Sequence, residues 1–212
     1  MNEILLELVR LIPSLLWFAL AICLLVVFRD RLQDLFARLT TVEAMGVKVI
    51  CMRQSIDAAL QLAEKAPQWR VHVPPEDKRR ALDRARAQYP LIKGAQFLWV
   101  DDKPENNVNE RRMFRQLDVD IDTVTDNGKA LAALATAAYD LVISDIARPG
   151  QTSSGLDLTK DLHAQGSNIP VVFYIGDYRL DLGVPPYAFG ITNRPDELLH
   201  LTLDILARKK DA

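Results

Sequence analysis

The chain has 212 residues, room for one or two domains, and a formal net charge of −2, which leaves no bulk electrostatic case for nucleic-acid binding. Its two cysteines, Cys23 and Cys51, exclude a disulfide framework. Its three histidines, His72, His163 and His200, have no metal-ligand spacing and read as surface or structural groups.

The first element is apolar. No charged residue occurs from Leu11 to Phe28, and with Ile4 to Val9 before it the stretch is about 25 residues long, enough to span a bilayer once. Glu3 and Glu7 at its start, and Val26-Val27-Phe28-Arg29 at its end, do not fit a cleaved signal peptide. Arg29, Arg31 and Arg38 follow the span, against Arg10 alone before it. The positive-inside rule then predicts a single-pass plasma (inner) membrane protein, held through residues 4–28, with its C-terminal bulk in the cytoplasm.

Residues 29–93 carry weaker signals. Leu32, Leu35, Phe36 and Leu39 recur at i, i+3, i+4 and i+7. Such a stripe suits either a homodimer seam or packing against the chain's own soluble part. Val47, Val49 and Cys51 alternate as in a short strand, and Ile56, Ala59, Leu60 and Ala63 suggest a helix ending before Pro67. Glu76 to Gln88 is charge-rich and reads as a solvated helix. The region is therefore expected to be a small α/β or helical linker between the anchor, 1–28, and a domain over 94–212.

From Gly94 onward strands and helices alternate. Phe97–Val100 is predicted as a strand and Asn106–Leu117 as a helix. A strand over Val119, Ile121 and Val124 and an alanine-rich helix over Asn127–Ala138 follow, with Asp126 as the helix N-cap. Leu141–Ser144 reads as the central strand and Gly155–Ala164 as a helix stopped by Gly166. Ile169–Ile175 and Tyr187–Thr192 are the last strands, and Pro195 opens a final helix. This is a (βα)5 pattern, an α/β fold with a doubly wound parallel sheet covered on both faces.

Two of the apolar runs end in carboxylates: Phe97-Leu98-Trp99-Val100 in Asp101-Asp102, and Leu141-Val142-Ile143-Ser144 in Asp145. Ligands of open α/β sheets sit beyond the carboxyl ends of the strands. If these two strands are neighbours, the three carboxylates converge there, and a hard divalent cation such as Mg²⁺ would relieve their repulsion.

Residues 95–208 resemble the receiver domain of bacterial two-component response regulators, a CheY-like, flavodoxin-like fold. Asp101-Asp102 match that family's acidic pair and Asp145 its phospho-accepting aspartate. Pro149, Gly155-Leu156-Asp157-Leu158 and Arg194-Pro195 fall where the family has proline, a Gly-Leu-acid-Leu helix start and Lys-Pro. Trp99 to Asn107 is also similar to the Trp-Val-Asp-Asp-x-Pro-x-x-Asn start of a less-studied group of receiver-like modules. The resemblance implies Mg²⁺ held by Asp101, Asp102, Asp145 and the backbone carbonyl of Ala147, phosphorylation of Asp145, and Arg194 as the phosphate contact. It also implies a histidine kinase or other signalling protein as partner, in a chain that is not itself an enzyme.

Three departures stand beside the match. Ile175 occupies the place of the family's phosphate-binding hydroxyl. The loop from Asp145 to Gly155 is longer than usual, and Gly176 to Ala188, with Pro185-Pro186, is too short for a full fourth helix. Two readings follow: a phosphate-accepting, membrane-anchored switch, and a pseudo-receiver serving as a constitutive protein-interaction module at the membrane.

Overall fold

The computed structural model describes residues 53–61, 72–147, 154–176 and 183–211, with Trp17, Ile50 and Glu64 besides. The expected membrane span (apart from Trp17), the stripe Leu32, Leu35, Phe36 and Leu39, the strand around Val47, Val49 and Cys51, and Pro149 lie outside the described residues. Among the described residues no helix is long and apolar enough to cross a membrane. The chain divides into two units, Met1–Val47 and Lys48–Ala212, and the second holds the fold.

Five strands form one parallel sheet: β1 (Gln96–Val100), β2 (Asp120–Val124), β3 (Leu141–Ser144), β4 (Val171–Tyr174) and β5 (Gly190–Thr192), in the order β2-β1-β3-β4-β5. The continuous apolar runs of β1, β3 and β4 are explained by this order. They are the inner strands, covered on both faces, and β3 and β4 are buried at every position. β2 lies at an edge and is mostly exposed, which accounts for its sparser apolar residues and for Asp120 and Asp122 along it.

The helices are α1 (Pro75–Ala87), α2 (Tyr89–Ile92), α3 (Val108–Gln116), α4 (Asn127–Thr136), α5 (Gly155–Ala164) and α6 (Pro195–Asp211), with a 3-10 turn over Pro104–Asn107. On one face of the sheet Phe97, Trp99, Ile143 and Val172 pack with Met113 and Phe114 of α3 and with Leu198, Leu199 and Leu203 of α6. On the other, Leu98, Val100, Val142 and Phe173 pack with Ala130 of α4 and Leu158 and Leu162 of α5. Each large apolar side chain so buried contributes about 1.5–3 kcal/mol. The predicted cap at Asp126 is in place, and the structure adds one at Ser154. Asp126 accepts the amide of Lys129 at 2.8 Å, and Ser154 with Asp157 closes a capping box on α5.

Three expectations are corrected. The charge-rich helix is not simply solvated: Ala81 and Ala85 of α1 are buried in the core beside α6, and Arg84 is bound by His200 and Asp204 of α6. Small residues at i and i+4 let one face of α1 approach closely, a signal its charges conceal. The core also includes Ile56, Leu60, Val73 and Ile92, so it runs across the expected boundary at residue 93/94. Finally, the last strand is confined to Gly190–Thr192, because Tyr187 adopts φ 63°, a left-handed conformation that no strand continues through. Among the described residues between Tyr174 and Gly190 there is no helix.

Candidate functional site

The register of the sheet sets the site. Val100 of β1 pairs with Ser144 of β3, and Ser144 with Phe173 of β4, so β1 and β3 run out at one level. The ladder continues one residue further, with the amide of Asp145 donating to the carbonyl of Val100 at 3.1 Å and that of Asp101 to Val124 at 3.0 Å. Both acidic side chains are thus presented by hydrogen-bonded backbone. Carboxylate oxygens of Asp101, Asp102 and Asp145 lie within 4.8 Å of one another.

They line a pocket of about 200 Å³ together with Lys103, Asn106, Asn107, Ala147, Tyr174, Ile175 and Gly176. Asp101 is its buried floor, 5% exposed, while Asp102 and Asp145 are half-buried. One oxygen of Asp101 accepts the amide of Lys103 at 2.7 Å and the other accepts the side-chain amide of Asn107. Burial raises the Asp101 pKa, and the negative charge of Asp102 adds to this. The bonds from Lys103 and Asn107, and the nearby Arg111 guanidinium, pull it back down. Each carboxylate oxygen can accept twice, so these bonds leave acceptor capacity at Asp101. An all-oxygen donor set with crowded negative charge suits a small hard cation, and the backbone of Ala147 stands at the same pocket.

A glycine-dependent contact holds this edge together. A Cβ on Gly155 would lie 2.2 Å from the carbonyl oxygen of Asp145 and 2.9 Å from Cε1 of Phe173. Only glycine lets α5 start that close to the backbone carrying Asp145. The amide of Gly155 also donates to the carbonyl of Ile146 at 3.0 Å.

Of the residues singled out in the sequence, the structure brings together Asp101, Asp102, Asp145 and Ala147, and it puts Ile175 in the same pocket. Arg194 it does not. Its guanidinium is engaged away from the pocket, by Asp196 (2.5 and 3.2 Å), Asp77 of α1 (3.0 Å) and Glu197 (3.4 Å). Arg194 thus stands apart from the pocket where a phosphate contact is expected of it, held by three carboxylates instead. Its pKa is raised, chiefly by Asp196.

Reading the chain residue by residue missed a buried polar group beside the pocket. Tyr174 turns to the face opposite Ile175 and donates its hydroxyl to Glu110 of α3 at 3.0 Å. Glu110 is 3% exposed, and Arg111 next to it lies over the ring of Trp99. The signal was available: Glu110, Met113, Phe114 and Leu117 follow the i, i+3, i+4, i+7 spacing of a buried face.

The family "Response regulator receiver domain" matches residues 97–182. The sensor protein EvgS of Escherichia coli (strain K12) is 33% identical over 89 residues, which are 41% of this chain and 7% of EvgS. The chain thus spans a small fraction of that relative's length. Among solved structures, the response regulator TrrA of Thermotoga maritima in complex with Mg²⁺-BeF is 23% identical with a TM-score of 0.46, covering 52% of this chain and 98% of TrrA. The receiver domain of Francisella response regulator 1452 is 20% identical with a TM-score of 0.48, covering 55% of this chain and 99% of its own. The family match, on a stretch whose strand ends carry the acidic pocket, supports a response regulator receiver domain within this chain.

Proposed function

We propose that this chain is a receiver-like signalling module that accepts a phosphoryl group on Asp145 and thereby switches a protein partner. The observation that carries the reading is the convergence of Asp101, Asp102 and Asp145, with oxygens within 4.8 Å, at the carboxyl edge of adjacent parallel strands. Asp101, Asp102, Asp145 and the Ala147 carbonyl would hold Mg²⁺, which supplies neutralisation of charge on a phosphoryl oxygen. An oxygen of Asp145 attacks phosphorus in line, and the bond to the leaving group breaks with its electron pair going to that group. Asp101, fixed by Lys103 and Asn107, keeps the floor of the pocket in place. The acyl phosphate then adds negative charge beside the loops after β3 and β4, which biases their arrangement.

The donor we expect is a histidine kinase, and the chain acts as substrate and switch, not as an enzyme. In this reading the module sits at the cytoplasmic face of the inner membrane, a position supported by the apolar stretch 4–28 and the arginines after it. The stripe at Leu32, Leu35, Phe36 and Leu39 offers a homodimer seam.

Two observations favour a second reading, a pseudo-receiver acting as a constitutive interaction module. Ile175 brings no hydroxyl to the pocket, and Arg194 is tied up elsewhere. The test is intact-mass measurement of the purified full chain after treatment with acetyl phosphate and Mg²⁺, with Asp145→Asn as control. A phosphoryl adduct absent from the variant is the expected result. A folded wild-type chain with no adduct would overturn phosphotransfer in favour of the pseudo-receiver.

A further inference from the structure

We propose that Lys103, and not Arg194, is the cation that meets the phosphoryl group in the acidic pocket. This deepens the phosphotransfer reading and rests on it. Three carboxylates outweigh the charge of one divalent cation, so positive charge from the pocket's walls would further favour an incoming phosphoryl group. Among the described residues lining the pocket, Lys103 is the one cationic side chain. It is exposed, and its ammonium makes no ion pair with a described residue. Its backbone amide is pinned to Asp101 at 2.7 Å, which fixes where the side chain leaves the chain. From that point a flexible four-carbon stem can follow an oxygen of the ligand at little cost.

Arg194 is in the opposite situation. Asp196, 1% exposed, takes two of its N–H groups, and Asp77 and Glu197 share the remainder of the charge. Moving Arg194 into the pocket would leave a buried carboxylate unpaired, a penalty that Lys103 does not face. Ile175 adds to the case: with no hydroxyl on that wall, the rim lysine is the remaining charged donor for the phosphoryl oxygens.

The test measures the rate of adduct formation from acetyl phosphate on the full chain carrying Lys103→Met, Lys103→Arg, or Arg194→Met combined with Asp196→Asn. The double change avoids leaving a buried carboxylate alone. Lys103→Met should slow formation about tenfold, the size expected for one charge-assisted contact in the transition state. Lys103→Arg should restore most of the rate, and the double variant should stay within about twofold of wild type. The assignment is overturned if Lys103→Met reacts as fast as wild type, or if the double variant alone loses the reaction. A wild-type chain that forms no adduct at all would overturn the phosphotransfer reading itself, and this assignment with it.

Discussion

Replacing Glu110 by glutamine should remove a pH-dependent loss of stability. Glu110 accepts from Tyr174 through one oxygen, while its other oxygen has no hydrogen-bond partner among the described residues. Burial pushes its carboxyl up to about 6 from an ordinary 4.5, against the opposing pull of the Tyr174 hydrogen bond and the Arg111 charge. Between those two pH values the folded chain keeps a proton that the unfolded chain has lost. Folding is therefore favoured by this group below pH 4.5. That advantage fades as pH rises through about 6 and is absent above it. The span corresponds to about 2 kcal/mol. Glutamine keeps the shape and an oxygen for Tyr174 but cannot ionise, and any cost of its unpaired amide is the same at every pH. In urea unfolding, the stability of Glu110→Gln relative to wild type should rise by about 2 kcal/mol between pH 3.5 and pH 7.5, with the m-value unchanged. A difference that does not move with pH would show that Glu110 ionises freely in the folded chain and refute the reasoning.

The other predictions bear on the architecture around the pocket. Gly155→Ala should destabilise by about 1–3 kcal/mol, because a methyl group 2.2 Å from the Asp145 carbonyl outweighs alanine's gain of at most about 1 kcal/mol in helix propensity. It should also slow acceptance of phosphate by displacing the Asp145 backbone; an unchanged urea midpoint would refute the close contact. Arg194→Met should destabilise by about 3 kcal/mol, since it strands the buried Asp196, and adding Asp196→Asn should recover much of that. Equal midpoints for the single and double variants would count against the pair. Phosphoryl transfer to Asp145 and its dependence on Lys103 are checked by the mass measurements described above.

The strands, their parallel direction and the carboxylates at their ends were legible in the chain because each rests on local pattern. Apolar runs of strand length mean burial on both faces, alternation with helices requires parallel crossovers, and a carboxylate at the end of a buried strand can only emerge at the sheet's edge. The cap at Asp126 is local in the same sense. What the tertiary structure decided are pairings between residues far apart in sequence. The family resemblance points Arg194 to the pocket, yet Asp77, Asp196 and Glu197 hold it elsewhere. No spacing rule connects α1 with the loop after β5. Glu110 lies in the core because its helix presents Met113, Phe114 and Leu117 there, and Tyr174 awaits it on β4. Lys103 gains its proposed role only once the fold sets it in the pocket with the carboxylates and shows the alternative cation occupied. Local pattern selects which face of an element is buried; the competition of charged groups for partners is settled by three-dimensional proximity and by the cost of leaving any of them buried and alone.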